Sequence, residues 1–160
     1  MNDTPPFGDR GGPRGEWEQQ RARFATQFAA HGESLTPLRE AVLRQLFRSE
    51  HPVGAYELAA RLSKEQGKTV APNSVYRVLD VLMACKLVQR VESRHAFCLA
   101  PSDDGKGYML LMCEDCGSVE TVEAAGLDAA VSQQAIAAHF RPTRKVIEIA
   151  GICQSCTEPE

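Results

Sequence analysis

The chain of 160 residues has a net charge of −3, with 43% hydrophobic and 24% charged residues, which is enough apolar content for a core in one domain or two small ones. No run approaches the roughly 18 apolar residues of a membrane helix, and the start lacks a basic, apolar targeting segment, so a soluble cytoplasmic protein with no membrane partner is expected. Residues 1–100 carry fourteen Lys and Arg against eleven Asp and Glu and residues 101–160 four against ten, +3 against −6, which makes the first half the one suited to a polyanion.

Residues 1–15 are rich in Pro, Gly and Asp and read as a disordered leader. From Trp17 the spacing of Trp17, Arg21, Phe24 and Phe28 predicts a packing helix. Thr36-Pro37 marks the start of a second helix, with Thr36 as cap, Pro37 at the first helical position, and Leu38, Val42 and Leu46 inward. His51-Pro52 closes it. A third helix is predicted from about Ala55 to Gln66, with Tyr56, Leu58, Ala59 and Leu62 inward and Gly67 as its stop.

Asn73 or Ser74 can cap a fourth helix whose stripe is Val75, Val78, Leu79 and Leu82, leaving Tyr76 and Arg77 mostly off it. Two β-prone runs, Leu87–Glu92 and Ala96–Ala100, joined by Ser93-Arg94-His95, read as a hairpin. Helices two to four with this hairpin make a winged helix-turn-helix. In that motif the N-terminal side chains of the second helix reach bases and phosphates, which singles out Asn73, Ser74, Tyr76 and Arg77. Periodicity alone admits a plain helical bundle with a solvated Arg equally well.

Residues 101–107 form a linker. Beyond it, Tyr108–Met112, Val119–Val122 and Arg144–Ala150 read as strands and Gly126–His139 as a helix. The two Cys-x-x-Cys elements, Cys113/Cys116 and Cys153/Cys156, are separated by thirty-six residues and supply the four thiolates of a closed tetrahedral Zn²⁺ site. A redox dithiol or a disulfide framework uses the same residue type. The first needs one pair opening a helix, and a reducing compartment disfavours the second. Four thiolates leave no open coordination position for water. With no Gly-rich phosphate loop and no His-Glu-x-x-His present, neither an enzyme nor a small organic substrate is expected.

Leu35-Thr36-Pro37-Leu38-Arg39, Gly54-Ala55-Tyr56-Glu57-Leu58, Ser74-Val75-Tyr76-Arg77-Val78-Leu79, Val91-Glu92-Ser93, Cys113-x-x-Cys116-Gly117, Val146-Ile147-Glu148 and Cys153-x-x-Cys156 occur in this order over residues 34–156. In this series the chain resembles the ferric uptake regulator superfamily, and within it the zinc uptake regulator branch. The resemblance implies an α+β protein. A winged helix-turn-helix domain (16–100) and a hinge (101–107) would precede a small α/β dimerisation domain (108–156) holding a structural four-cysteine zinc. It also implies a homodimer that binds palindromic promoter DNA, with Tyr76 and Arg77 at DNA-contacting positions, and a second, regulatory metal site at the hinge.

The chain departs from that family at the regulatory site. Gly105–Leu110 stands where the family has a His-rich segment, Thr121 stands at a usual carboxylate position, and Arg144-Lys145 replaces a histidine. Cys98, His95 and His139 are the remaining candidate ligands for a second Zn²⁺. A lone strand cysteine also serves as a small buried hydrophobe, and His139 suits a helix C-terminus without any metal. The expected function is a metal-responsive repressor, most simply a zinc sensor governing zinc uptake genes. The alternatives are a family member whose sensor has degenerated toward another metal or signal, and a zinc storage or trafficking protein.

Overall fold

The computed structural model describes residues 14–101 and 107–157. The chain divides between Ala100 and Pro101 into two compact units. The expected leader falls mainly outside the described residues, except that Arg14 and Gly15 already belong to the first helix.

In the first unit α1 (Arg14–Ala30), α2 (Pro37–Phe47), α3 (Ala55–Gln66) and α4 (Pro72–Ala84) precede the hairpin of β1 (Val88–Val91) and β2 (Ala96–Leu99). β1 and β2 pair antiparallel with Val88 opposite Leu99 and Val91 opposite Ala96. Val53 adds a bridge to Phe97, each N–H donating to the other's carbonyl at 2.9 Å. This ties the α2–α3 connection to the wing.

The helix boundaries follow from local chemistry. Pro37 opens α2, with the Thr36 hydroxyl accepting from Arg39 N–H at 3.4 Å. Gly67 ends α3 at φ +64, in the left-handed region where a side chain would be strained. Ser63 locks the turn into α4, its hydroxyl donating to Ala59 C=O at 2.7 Å and accepting from Val70 N–H at 2.9 Å. The α4 cap differs from the expectation. Ala71 is the N-cap with no side-chain bond, because Pro72 takes the first helical position, and Asn73 and Ser74 lie within the first turn.

Phe28, Val42, Leu43, Leu58, Leu62, Val75, Leu79 and Leu82 are fully or almost fully buried in one core. Tyr56 was expected among them and is 71% exposed. The buried stripe of α3 is Ala55, Leu58, Ala59 and Leu62, at i, i+3, i+4 and i+7. Position 56 sits about 100° around the helix from Ala55. On the other side of the core α1 docks by aromatic packing, with the Trp17 ring centroid 5.4 Å from that of Phe47 and 6.2 Å from that of Phe24. Glu40 of α2 receives Arg21 at 3.0 Å and Arg44 at 2.8 Å. The hydrogen bond from Arg21 holds its carboxyl below the usual range, against the opposing effect of partial burial.

The second unit holds β3 (Tyr108–Cys113), β4 (Val119–Glu123), α5 (Ala125–Ala137), β5 (Glu148–Gly151) and one turn of helix, α6 (Gln154–Thr157). The sheet order is β4-β3-β5. β3 runs antiparallel to β4 and parallel to β5, with Cys113 opposite Gly151. The third strand is shorter than expected. Arg144 to Ile147 precede it as irregular chain, held where Leu110 N–H donates to Ile147 C=O at 2.9 Å and where Lys145 pairs with Asp128 at 2.5 Å. Among the described residues of this unit only Leu110, Met112, Cys113 and Ala124 are buried apolar residues, so its core alone is thin.

Phe28 is the largest fully buried side chain of the first unit, with the Arg39 guanidinium 5.5 Å from its ring centroid. Phe28→Ala is expected to destabilise that unit by about 3–5 kcal/mol through lost burial and the residual cavity, read as a lower denaturant midpoint. A midpoint within experimental error of the parent would show that α1 is not part of the cooperative core.

Candidate metal centre and nucleic-acid surface

The metal centre is assembled by β3, the turn after it, and the chain following β5. Cys113 ends β3 and its N–H donates to Ser118 C=O at 3.0 Å, while Gly117 N–H donates to Cys113 C=O at 3.1 Å, closing a tight turn. Gly117 has φ +78, which explains why glycine follows the second cysteine. On the other side Cys156 N–H and Thr157 N–H both donate to Cys153 C=O at 3.0 Å, wrapping α6 so that Cys156 returns toward Cys153. The parallel register Cys113–Gly151 brings the two turns together.

All four sulfurs, of Cys113, Cys116, Cys153 and Cys156, lie within 4.8 Å of one another. Cys116 Sγ is 3.8 Å from Cys153 Sγ. A tetrahedral shell with Zn–S near 2.3 Å has an S···S edge of about 3.8 Å, so this spacing fits a zinc ion. None of the six cysteines is in a disulfide.

The electrostatics agree. Backbone N–H groups of Cys116 and Cys153 draw the Cys113 thiol down to about 6, and the Ser118 hydroxyl, 3.0 Å from the sulfur, lowers that of Cys116. Cys156 is pushed up to about 12, first by its bond with Cys153 and then by burial and the other sulfurs. Four thiolates so close together cannot all ionise unaided, and a bound dication removes that conflict. Zinc held there would stabilise the turn and strand ends and would have no open position for a substrate.

The other sequence-predicted residues are placed as follows. Asn73, Ser74, Tyr76 and Arg77 are all exposed on the first two turns of α4. Tyr76 meets Tyr56 edge to face, with ring centroids 6.2 Å apart. Tyr56 thus joins the α4 surface, a role the sequence reading missed by placing it inward; its offset from the Leu58 and Leu62 stripe was the available signal. On the wing, His95 is exposed at φ +50 and its Nδ1 lies 3.0 Å from an Arg90 guanidinium nitrogen, while Cys98 is half-buried opposite Gln89. In the second unit His139 is exposed at φ +54 just after α5. Among the described residues, the four cysteines are the one group of three or more metal-ligating side chains that the structure gathers.

A winged helix that presents tyrosine and arginine to solvent, followed by a small sheet built around four thiolates, defines a metalloregulatory class of protein. Residues 30–150 match the ferric uptake regulator family, and the chain belongs to that family. The zinc uptake regulation protein of Escherichia coli K12 is 32% identical over 128 residues, 79% of this chain and 74% of that protein. A solved zinc uptake regulator complexed with zinc and DNA aligns with TM-score 0.82 at 28% identity, covering 88% of this chain and 95% of that one. Holo XcZur aligns with TM-score 0.78 at 31% identity, covering 88% and 98%.

Protons and metal compete for the same sulfurs. Cys113 is depressed, so without metal its thiolate is the favoured form above about 6, well below the ordinary thiol range, and is lost as pH falls through that value. Zinc content measured after equilibration and desalting is expected to hold near one ion per chain at pH 7.5 and to fall on acidification, as protons displace the metal from the sulfurs. Zinc content independent of pH down to acid unfolding would contradict a thiolate-held ion.

Proposed function

We propose that the chain is a zinc-responsive transcriptional repressor of zinc uptake genes. It acts in the cytoplasm as a homodimer on palindromic promoter DNA, with one structural zinc in each chain. The observation that carries this reading is the distribution of exposed large apolar side chains. Among the described residues there are nine, and the two in the first unit are Tyr56 and Tyr76, beside Arg77 on the helix that a winged helix lays in the major groove. Each tyrosine offers a ring for a thymine methyl and a hydroxyl for phosphate, and Arg77 offers paired donors for guanine.

The other seven, Leu127, Val131, Ile136, Phe140, Val146, Ile149 and Ile152, all lie in the second unit. Their number in so small a unit supports a self-complementary apolar interface between two copies. Symmetry then supplies two reading heads for two half-sites. The relatives named above include a regulator solved with zinc and DNA, which supports the same assignment. Cys98 is the chain's own candidate ligand for a regulatory zinc, with His95 and His139 as candidate imidazoles; thiolate and imidazole both suit zinc.

One observation favours the second reading, a family member whose sensor answers another signal. Lys145 stands in the segment before β5, and its ammonium is held by Asp128 at 2.5 Å and Ser132 at 3.0 Å. A built-in cation there competes with a metal ion for the same surroundings. Zinc per chain after chelation and reloading separates the readings: a rise from one to two supports the zinc sensor, and a constant value of one supports the alternative.

Arg77→Ala is expected to weaken promoter binding by about 1–3 kcal/mol, roughly five- to 150-fold. Zinc content and the unfolding midpoint should stay at parent values, and unchanged binding would remove α4 from the interface. Parent binding should also weaken steeply with salt in a mobility-shift titration, since phosphate contacts release counterions. Ile136→Asp, at a position 70% exposed in the single chain, is expected to shift the protein to monomer in sedimentation; a persistent dimer would place the interface elsewhere.

A further inference from the structure

We infer that Asp80 is a base-reading residue of α4, its carboxylate accepting from the N4 amino group of a cytosine in the major groove. The inference rests on the promoter-binding reading above and adds to it a residue that selects sequence. Three observations carry it. The first is angular. At about 100° per residue, Asn73, Arg77 and Asp80 lie roughly 130–170° around α4 from the centre of its buried stripe of Val75, Leu79 and Leu82. They share the pole that faces away from the core. With Tyr76 they stand at i, i+3, i+4 and i+7, the set through which a homeodomain helix reads its site over two turns. The second is exposure, since all four side chains are open to solvent. The third is the lack of local partners. Arg77 and Asp80 are one turn apart, close enough to pair, yet neither side chain enters an ion pair or hydrogen bond among the described residues. On α3, by contrast, Arg61 and Glu57 do pair, at 2.6 Å.

The chemistry of the groove then selects the base. An ionised carboxylate only accepts hydrogen bonds, so it needs a donor on the base edge. Guanine and thymine present acceptors there, and the adenine amino group has the N7 acceptor beside it, which repels a second acceptor. On cytosine the N4 amino group has no acceptor beside it on the same base. Three residues span about 4.5 Å of helix axis, little more than the base-pair step of about 3.4 Å. For a helix lying along the groove, the cytosine therefore falls about one or two base pairs from the guanine read by Arg77. The same carboxylate opposes the phosphates of any duplex. Asp80 thus contributes more to discrimination than to affinity, because on a site lacking the cytosine its charge is left without a donor.

The test selects DNA with the full zinc-loaded chain from a library of duplexes carrying random inverted repeats, using the parent, Asp80→Ala and Asp80→Asn. The parent is expected to favour cytosine at one position of each half-site by roughly five- to 150-fold over the other bases. Asp80→Ala should lose that preference and keep the others. It should also bind a duplex of unrelated sequence severalfold more tightly, since a charge opposing phosphate is removed. Asp80→Asn should exchange cytosine for adenine, because a carboxamide matches the N6 and N7 pair of that base. All three proteins should share one unfolding midpoint and one zinc content. Identical base frequencies in the three proteins, a parental preference for another base at the position that responds to Asp80, or a preference lost only together with a lowered midpoint would overturn the inference. A parent that enriches no sequence would instead overturn the promoter-binding reading on which it rests.

Discussion

The second unit is organised by one electrostatic constraint: four sulfurs within 4.8 Å of one another are compatible with full ionisation only around a cation. Each feature of the unit serves that arrangement. The positive-φ Gly117 folds the first pair back on itself, the parallel register of β3 and β5 sets the second pair beside it, and backbone N–H groups are aimed at Cys113. With so few buried apolar residues in this unit, the coordination bonds take the part that side-chain packing plays in the first unit. Metal binding and folding are therefore one equilibrium in the second unit, whereas the first has a core of its own.

That division of labour suits a regulator. In the proposed function the first unit presents Arg77 and the tyrosine pair with little reorganisation, and α4 is held by a continuous set of buried residues, Val75, Leu79 and Leu82, packed against α2 and α3. Its N-terminal turn begins with Pro72 and carries no side-chain cap, and the Ser74 and Val75 N–H groups both donate to Ala71 C=O, at 3.0 and 3.3 Å. The Ser63 hydroxyl fixes the approach to that turn from two sides. Rigid support below and exposed polar side chains above is what groove reading requires.

Much of this was legible in the residue order because the signals are local. Thr36-Pro37, Gly67 and the apolar stripes of α2 and α4 each specify their element without help from distant chain. The two Cys-x-x-Cys pairs announce the centre because zinc chemistry restricts both residue type and spacing. What was misread depended on angle or on tertiary context. Tyr56 is apolar enough to suggest a core position, and only its angular offset reveals the surface. Arg144 to Ile147 have strand-forming residues, but the pairing available to β3 begins at Leu110 opposite Glu148, and Lys145 is drawn to α5 instead. The α4 cap was misplaced because a proline at position 72 outranks the side chains that follow it. A regulatory ligand set is the least legible part, since it is defined by residues far apart in sequence whose individual roles, such as His95 in a wing turn, already have a local explanation.

The parallel pairing of β3 with β5 has a kinetic side. Cys113 and Gly151 become neighbours only after β4, its turn and all of α5 have been made, so the contact that completes the centre spans most of the second unit. Pairings of such sequence separation form late, after the loop-closure entropy has been met. During synthesis the first cysteine pair emerges well before the second, and by then the winged helix has its whole sequence available. A growing chain thus holds the whole sequence of its reading head before it holds the second half of its metal centre.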